Sequence, residues 1–431
     1  MASFPLASVL SETPLRSAVT CPNCWHGFPP EAVLWIAVHP QLAGEPQLPV
    51  SLTRGAERRR FIPERFDVEG RAIDAEGAPC TQLACPRCRL LVPRACLELP
   101  GLVFSVLGAP GSGKSVFLAS MTFSLRQRAA DFGLRFQDAD LTLNRLLLED
   151  ERRIFLDPAA EKYRPIDDAV KKTQLDDARY RISLIDGHPA KFVPPYTFVL
   201  APGAGHPHVQ QSSGLTRLLC LYDNAGEHFL PGADGADQPM TRHLAASKGL
   251  IYTFDPTRDR RVQRRLGAGA SVGVGVDRQD SVLLEAANRV REHAGISPTA
   301  RIPQPLVVAL TKFDVWKALV SKFDKTPPFH PYPNASVQAL FIDPVASMSQ
   351  ACRAMLWEHC REIVTAAESV SDDVTYVPVA AVGWDIRVDP RTKMPHFRSA
   401  DCDPFGVLIP LLLLLYKNAS RLCLAVGRSG F

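Results

Sequence analysis

The sequence predicts an α/β fold: a mostly parallel six-stranded sheet with helices on both faces, preceded by a small cysteine-bearing module. Three observations lead there. From Leu102 onward, short apolar runs alternate with segments of helical period, the pattern of strand–helix units that build a parallel sheet. A glycine-rich octapeptide, Gly108 to Ser115, joins the first apolar run to the first helical one. Residues 1–99 read differently, rich in Pro, Arg and Cys with few helical periods, and are expected to form a module apart from 100–431.

The six expected strands are 102–107, 197–200, 217–222, 249–254, 306–310 and 374–379, each ending at a turn, a glycine loop or a charged motif. Helices are expected at 115–130, where Leu118, Met121 and Leu125 repeat at three and four residues and Gly133 follows, and at 281–293 and 347–367. Two stretches interrupt the alternation. The insertion near 131–196 should carry its own helix around 141–153, and 256–280 reads as a mobile surface loop. Arg258, Arg260, Arg261, Arg264 and Arg265 within that loop read as solvated charges, although arginines there could touch phosphates.

The chain has 431 residues and 46% hydrophobic content, enough for at least one large core and, by length, roughly two or three domains. Its 49 basic and 45 acidic residues nearly balance, so charge does not point to nucleic acid. The first twenty residues lack a basic start followed by a sustained apolar run, so no secretory signal is expected and a cytoplasmic protein is the default. The longest apolar run, Val407 to Tyr416, is too short to span a bilayer. It reads as a buried helix with Pro410 in its first turn.

The octapeptide fits G-x-x-x-x-G-K-S/T, with an apolar strand before it and a helix after it. Gly108, Gly111 and Gly113 let the backbone wrap around phosphates, with Ser112 and its neighbours presenting N–H groups at a helix N-terminus. Lys114 is expected to reach the β- and γ-phosphates of a nucleotide, and Ser115 to offer its hydroxyl to Mg²⁺. A chance match in a chain this long has a likelihood on the order of 1% before the strand and helix context is counted.

The strand 217–222 runs into Asp223-Asn224-Ala225-Gly226-Glu227, an Asp-x-x-Gly element in which Asp223 can hold Mg²⁺ and the Gly226 amide can sense a γ-phosphate. An Asp at this place can equally be a simple turn former. The strand 306–310 ends in Thr311-Lys312-Phe313-Asp314. Guanine presents two adjacent N–H donors that one carboxylate, Asp314, can accept together, and adenine has no such pair. Lys312 can lay its aliphatic stem along the base.

These motifs, in this order, resemble the translation-factor-related, Ras-like P-loop GTPases. The resemblance covers about residues 100–425 and implies GTP/GDP and Mg²⁺ as ligands, a switch action on a protein effector, and hydrolysis of GTP. It also implies a switch threonine that completes Mg²⁺ coordination. Thr173 is the candidate and Thr142 the runner-up, with Thr173 equally readable as an ordinary surface residue. The family's last base-binding signature would fall at Val379-Ala380-Ala381-Val382, where only an alanine is kept and base contacts would come from the backbone. The usual water-orienting glutamine after the glycine is replaced by Glu227, followed by His228. A carboxylate can place water but adds repulsion beside a γ-phosphate. The Asp223 to Glu227 run, the Asp255-Pro256 strand end and the cysteine module also resemble the bacterial double-GTPases encoded in conflict, or defence-like, systems.

Four of the eleven cysteines form two Cys-x-x-Cys pairs, Cys21 with Cys24 and Cys85 with Cys88. Two such pairs can close a zinc tetrahedron without water, as in a structural zinc ribbon. The long interval between them calls for an insertion, and His26 or Cys80 could replace a ligand. Redox chemistry is disfavoured by the second pair and by the lack of a thioredoxin-like unit. Two other readings remain: an interaction module whose nucleotide pocket does not hydrolyse, and a P-loop ATPase acting with nucleic acid, which Asp314 opposes.

Overall fold

The computed structural model describes residues 14–45, 58–157, 161–166, 170, 180–224, 226–229, 241–267, 278–320, 326–389, 391 and 395–427. Among these, seven strands form the central sheet: β1 (Gly101–Gly108), β2 (Leu134–Asp138), β3 (Tyr196–Pro202), β4 (Arg217–Asp223), β5 (Leu250–Phe254), β6 (Leu306–Leu310) and β7 (Val374–Pro378). Their spatial order is β2-β3-β4-β1-β5-β6-β7. β3 pairs antiparallel with both neighbours, and the other pairs in the sheet are parallel, so β3 alone of the seven is reversed.

All six expected strands are present, but the sheet has seven rather than six. The addition is β2, drawn from the stretch read as an insertion. It is an edge strand of five residues whose apolar positions reduce to Leu134 and Phe136, too few for a period-2 signal. The expected helix of the same stretch is there at Leu141–Phe155, capped by Asp140, whose carboxylate accepts from the amides of Thr142 and Leu143.

The longer helices are α1 (Lys114–Arg128), α2 (Leu141–Phe155), α3 (Gln279–Ala294), α4 (Ile342–His359), α5 (Arg361–Val370) and α6 (Ile409–Asn418). Alternation along β1 sorts them into layers. Leu102, Phe104 and Val106 meet Phe117, Leu118 and Met121 of α1, Leu147 of α2 and the apolar run of α6. Leu107 on the opposite face joins Tyr252, Val308 and Tyr376 against Val282 and Ala286 of α3 and Ile363 and Val364 of α5. α6 is buried from Ile409 through Leu415 with Pro410 in its first turn, as its sequence requires, since it has no polar face until Tyr416. Among the described residues no helix is long and apolar enough to cross a membrane.

Two expected elements are corrected. The single helix at 347–367 is two, α4 and α5, divided at Cys360, where φ is −139° and ψ 48°. The break turns the apolar face of α5 onto α3 while α4 runs along β7. The described part of 256–280 is ordered rather than a loose loop. It holds a 3₁₀ turn, Pro256–Arg258, and a helix, Arg260–Leu266, whose N-cap Asp259 accepts from the Arg261 amide. Arg261 also pairs with Glu362 of α5.

The N-terminal module is built on two hairpins, Val19–Thr20 with Gly27–Phe28 and Leu83–Ala84 with Leu91–Val92. The intervening residues add Leu34–Ile36 and Arg60–Phe61 to the second hairpin, making a four-stranded sheet. This module shares a hydrophobic core with the central sheet. Cys21, Cys24, Cys85, Cys88 and Phe28 cluster with Val103 of β1, Val199 of β3 and Leu218, Cys220 and Tyr222 of β4. Part of one sheet face is therefore covered by the cysteine module where a helix was expected.

Candidate functional site

In an open α/β sheet, ligands bind where the strand connections leave toward opposite sides, outside the carboxyl ends of the strands. Here that place is the end of β1, which lies between β4 and β5. Four segments meet along this edge: the loop after Gly108, the end of β4 at Asp223, Asp255 after β5 and Thr311 after β6.

The loop after β1 wraps toward the first turn of α1. Gly111 and Gly113 have φ of 74° and 88°, and Gly113 in the left-handed region is the N-cap of α1, a conformation that side chains resist. Two strand ends brace this turn. The Ser112 hydroxyl lies 2.7 Å from Thr253 Oγ1, and the Thr311 hydroxyl donates to the Ser112 carbonyl at 2.7 Å. Lys114 and Ser115 both turn toward β4, with Lys114 Nζ 3.6 Å from Asp223 Oδ1 and Ser115 Oγ 3.3 Å from Asp223 Oδ2. Gly226 sits against the same loop. A Cβ there would lie 2.5 Å from the Gly108 carbonyl oxygen and 2.6 Å from the Pro110 nitrogen, which leaves room for glycine only.

At the neighbouring strand ends, Thr311 donates its amide to the Phe254 carbonyl at 2.8 Å, and Lys312 adopts a left-handed φ of 56°. This turns the Lys312 ammonium to 2.6 Å from Asp255 Oδ2. Asp255 is held from all sides. Its other carboxylate oxygen accepts from the amide and hydroxyl of Thr257, and its backbone exchanges two hydrogen bonds with the Gln279 side chain. Asp314 lies in the first turn of the short helix Phe313–Trp316, and burial pushes its carboxyl up to about 6. The Trp316 indole donates to the Thr311 carbonyl at 2.7 Å and fixes this turn. After β7, Ala380 exchanges both backbone hydrogen bonds with Phe405, so its own amide is engaged.

Three residues at this edge were not given a role from sequence. Thr253 and Asp255 end an apolar strand with no motif around them except the Asp-Pro step. Arg258 is the correction among the arginines read as solvated charges, since its guanidinium donates to the Pro110 carbonyl of the glycine loop. No local pattern marks it, because its partner lies far off in sequence.

The four paired cysteines come together. Cys21 Sγ and Cys88 Sγ are 3.7 Å apart, as are Cys24 Sγ and Cys85 Sγ, and all four sulfurs lie within 4.8 Å of one another. A tetrahedron with zinc–sulfur bonds of about 2.3 Å has edges of about 3.8 Å, so the spacing fits a zinc tetrathiolate. The two knuckles repeat one geometry. Trp25 and Arg89, each following a second cysteine, are left-handed with φ of 60° and 57°, and each donates its amide to the carbonyl of the first cysteine of its pair. Asn23 and Arg87 aim amides at Cys21 and Cys85 Sγ. His26 and Cys80 stand outside the cluster, the first stacked on Phe28 and the second against Asp74.

Thr173 and the side chain of Glu227 lie outside the described residues. Thr142 is exposed at the start of α2. A cleft beside Asp223 is lined by Leu146, Tyr180, Arg181, Val193 and Tyr196.

No family model matches this sequence, and no curated protein does. Among solved structures, the chain is similar to sup35 complexed with GDP, at 14% identity and a TM-score of 0.23 over 66% of this chain. It spans 38% of that protein's length. It is also similar to a chain of the signal recognition particle receptor SRb-GTP/SRX complex from Chaetomium thermophilum, at 12% identity and a TM-score of 0.23, covering 65% of this chain and 94% of that one.

Proposed function

We propose that this chain binds a guanine nucleotide with Mg²⁺ between the Gly108 to Ser115 loop, the Asp223 to Gly226 turn and the Thr311 to Asp314 turn, and that it hydrolyses GTP as a switch toward a protein effector. The observation that carries this reading is the convergence of Lys114 and Ser115 on Asp223, at 3.6 and 3.3 Å, beside a strand end that carries Lys312 and Asp314. A lysine, a hydroxyl and a buried carboxylate at the N-terminus of α1 are what a triphosphate with a divalent ion requires. Mg²⁺ would be held by Ser115 and Asp223, with Thr173 as a further ligand, and supplies neutralisation of the β- and γ-oxygens.

In this reading Lys114 releases Asp223 to contact the γ-phosphate. The loop amides and the α1 N-terminus hold the phosphates, Asp314 accepts the two guanine donors, and Lys312 lies under the base. Glu227 positions the attacking water. Four buried thiols at tetrahedral spacing support a structural zinc as the second ligand. The effector belongs to a bacterial defence setting in this proposal, which rests on the resemblance of the Asp223 to Glu227 run, the Asp255-Pro256 strand end and the cysteine module to the conflict-system double-GTPases.

The test is direct titration of GTP, GDP and ATP with and without Mg²⁺. GTP and GDP should bind at least tenfold more tightly than ATP, and Lys114→Ala should abolish binding while the far-ultraviolet dichroism is kept. Preference for ATP would overturn the guanine assignment.

A further inference from the structure

The cysteine module does more than cover apolar surface, because it touches the strand that ends in Asp223. The carbonyl of Pro22, between the first two cysteines, accepts a hydrogen bond from the Tyr222 hydroxyl, and Tyr222 immediately precedes Asp223. The Tyr222 ring lies 5.9 Å from that of Trp25 in the same knuckle. The same ring stacks on His243 at 4.3 Å with 3° between the planes. His243 in turn places Nε2 2.8 Å from Asn224 Oδ1 and Nδ1 2.7 Å from Ser105 Oγ of β1. Tyr222, Asn224 and His243 are 1%, 0% and 2% exposed, so no solvent slack separates these contacts. The second knuckle makes a parallel contact. The Cys88 carbonyl accepts from Ser183 at 2.6 Å, in the hairpin Arg181–Ile185 with His188–Phe192, whose first residue borders the cleft beside Asp223.

We infer that the Cys21–Cys24 knuckle positions the Asp223–Asn224 strand end through Tyr222 and His243, so that zinc on the four thiols and nucleotide with Mg²⁺ at the glycine loop bind cooperatively. The inference rests on the zinc and nucleotide assignments proposed above. With metal, the knuckle carbonyls are fixed and the Tyr222 hydroxyl is satisfied. Without it, the four buried thiols lose the ion that draws the two knuckles together at 3.7 Å, the Pro22 carbonyl is held less firmly, and the ring contact of Tyr222 with Trp25 loosens. Because coupling between two sites is reciprocal, nucleotide must tighten zinc by the same factor by which zinc tightens nucleotide.

The experiment uses the full chain, loaded with zinc or stripped by a zinc-selective chelator, with Mg²⁺ present. Three readouts are taken: affinity for a fluorescent GDP, release of zinc to a colorimetric chelator with and without GDP, and hydrogen exchange of residues 218–224. Stripped protein should bind GDP at least about fivefold more weakly, GDP should tighten zinc by the same factor, and exchange at the end of β4 should rise on stripping. Tyr222→Phe keeps the ring stack and removes the bond to Pro22, so it should retain zinc and GDP binding while the coupling factor falls toward one. Equal GDP affinity in the two forms, or a wild-type factor in Tyr222→Phe, overturns the inference. Absence of nucleotide binding in zinc-loaded wild type would count against the nucleotide assignment alone. The exchange readout then decides the positioning role, which unchanged protection of residues 218–224 refutes.

Discussion

The Lys312 ammonium lies 2.6 Å from Oδ2 of Asp255, a carboxylate with 0% exposure. The two residues are on neighbouring strand ends, and the pair fixes the direction of the Lys312 stem at the place where a base would lie. Asp255→Asn keeps the shape and leaves the Lys312 charge without its partner. Breaking one half of such a buried pair costs roughly 3–5 kcal/mol at most, less here because Lys312 is partly exposed. The expected outcome is a melting temperature lower by several degrees and guanine-nucleotide affinity reduced about tenfold. Unchanged melting and affinity would show that the pair positions nothing.

In the proposed reading, Asp314 links nucleotide affinity to pH. Its carboxyl is pushed up to about 6 by burial, and the ionised form is the one that would accept both guanine donors. In the free protein the folded state holds this proton more tightly than the unfolded chain, so its contribution to stability falls as pH rises from about 4 through 6. Nucleotide affinity moves the opposite way, rising through the same window, with binding at pH 5 about tenfold weaker than at pH 8. Asp314→Asn should flatten that part of the profile, so the difference between the two titrations isolates this residue from the phosphates. A wild-type profile already flat between pH 5 and 7 would remove Asp314 from base recognition.

Metal analysis of the purified chain should find one zinc per molecule, and Cys85→Ser with Cys88→Ser should lose it. Because these thiols share a core with β1, β3 and β4, the loss should reach beyond the module. The double variant should unfold at a markedly lower temperature across the whole chain, with a single transition. Full zinc retention in that variant would reject the four-thiol site.

Glu227 directly follows Gly226, whose backbone is packed on the glycine loop. If its carboxylate orients water, Glu227→Ala should bind GTP nearly as wild type does and turn over roughly 10²-fold more slowly, the lower range for such roles. Single-turnover hydrolysis measures this directly. Faster hydrolysis in Glu227→Ala would identify the residue as a source of repulsion toward the γ-phosphate.

Legibility in the sequence followed the range of the interaction. The glycine loop, the strand–helix alternation, the buried helix with Pro410 and the paired cysteines could be read directly, because each is defined by spacing within one segment. Steric demand at a turn, helical period and ligand pairing all act over a few residues. Contacts set by strand order left no such trace. Asp255 meets Lys312 and Arg258 meets the Pro110 carbonyl because β1, β5 and β6 are neighbours in the sheet, and Tyr222 meets Pro22 because the cysteine module packs on β4; no local pattern encodes either neighbourhood. β2 escaped notice for a related reason. A short edge strand with polar residues at alternate positions is stabilised by the strand it pairs with, β3, rather than by its own composition. The division of 347–367 at Cys360 was likewise decided by packing, since only the positions of α3 and β7 require the chain to turn there.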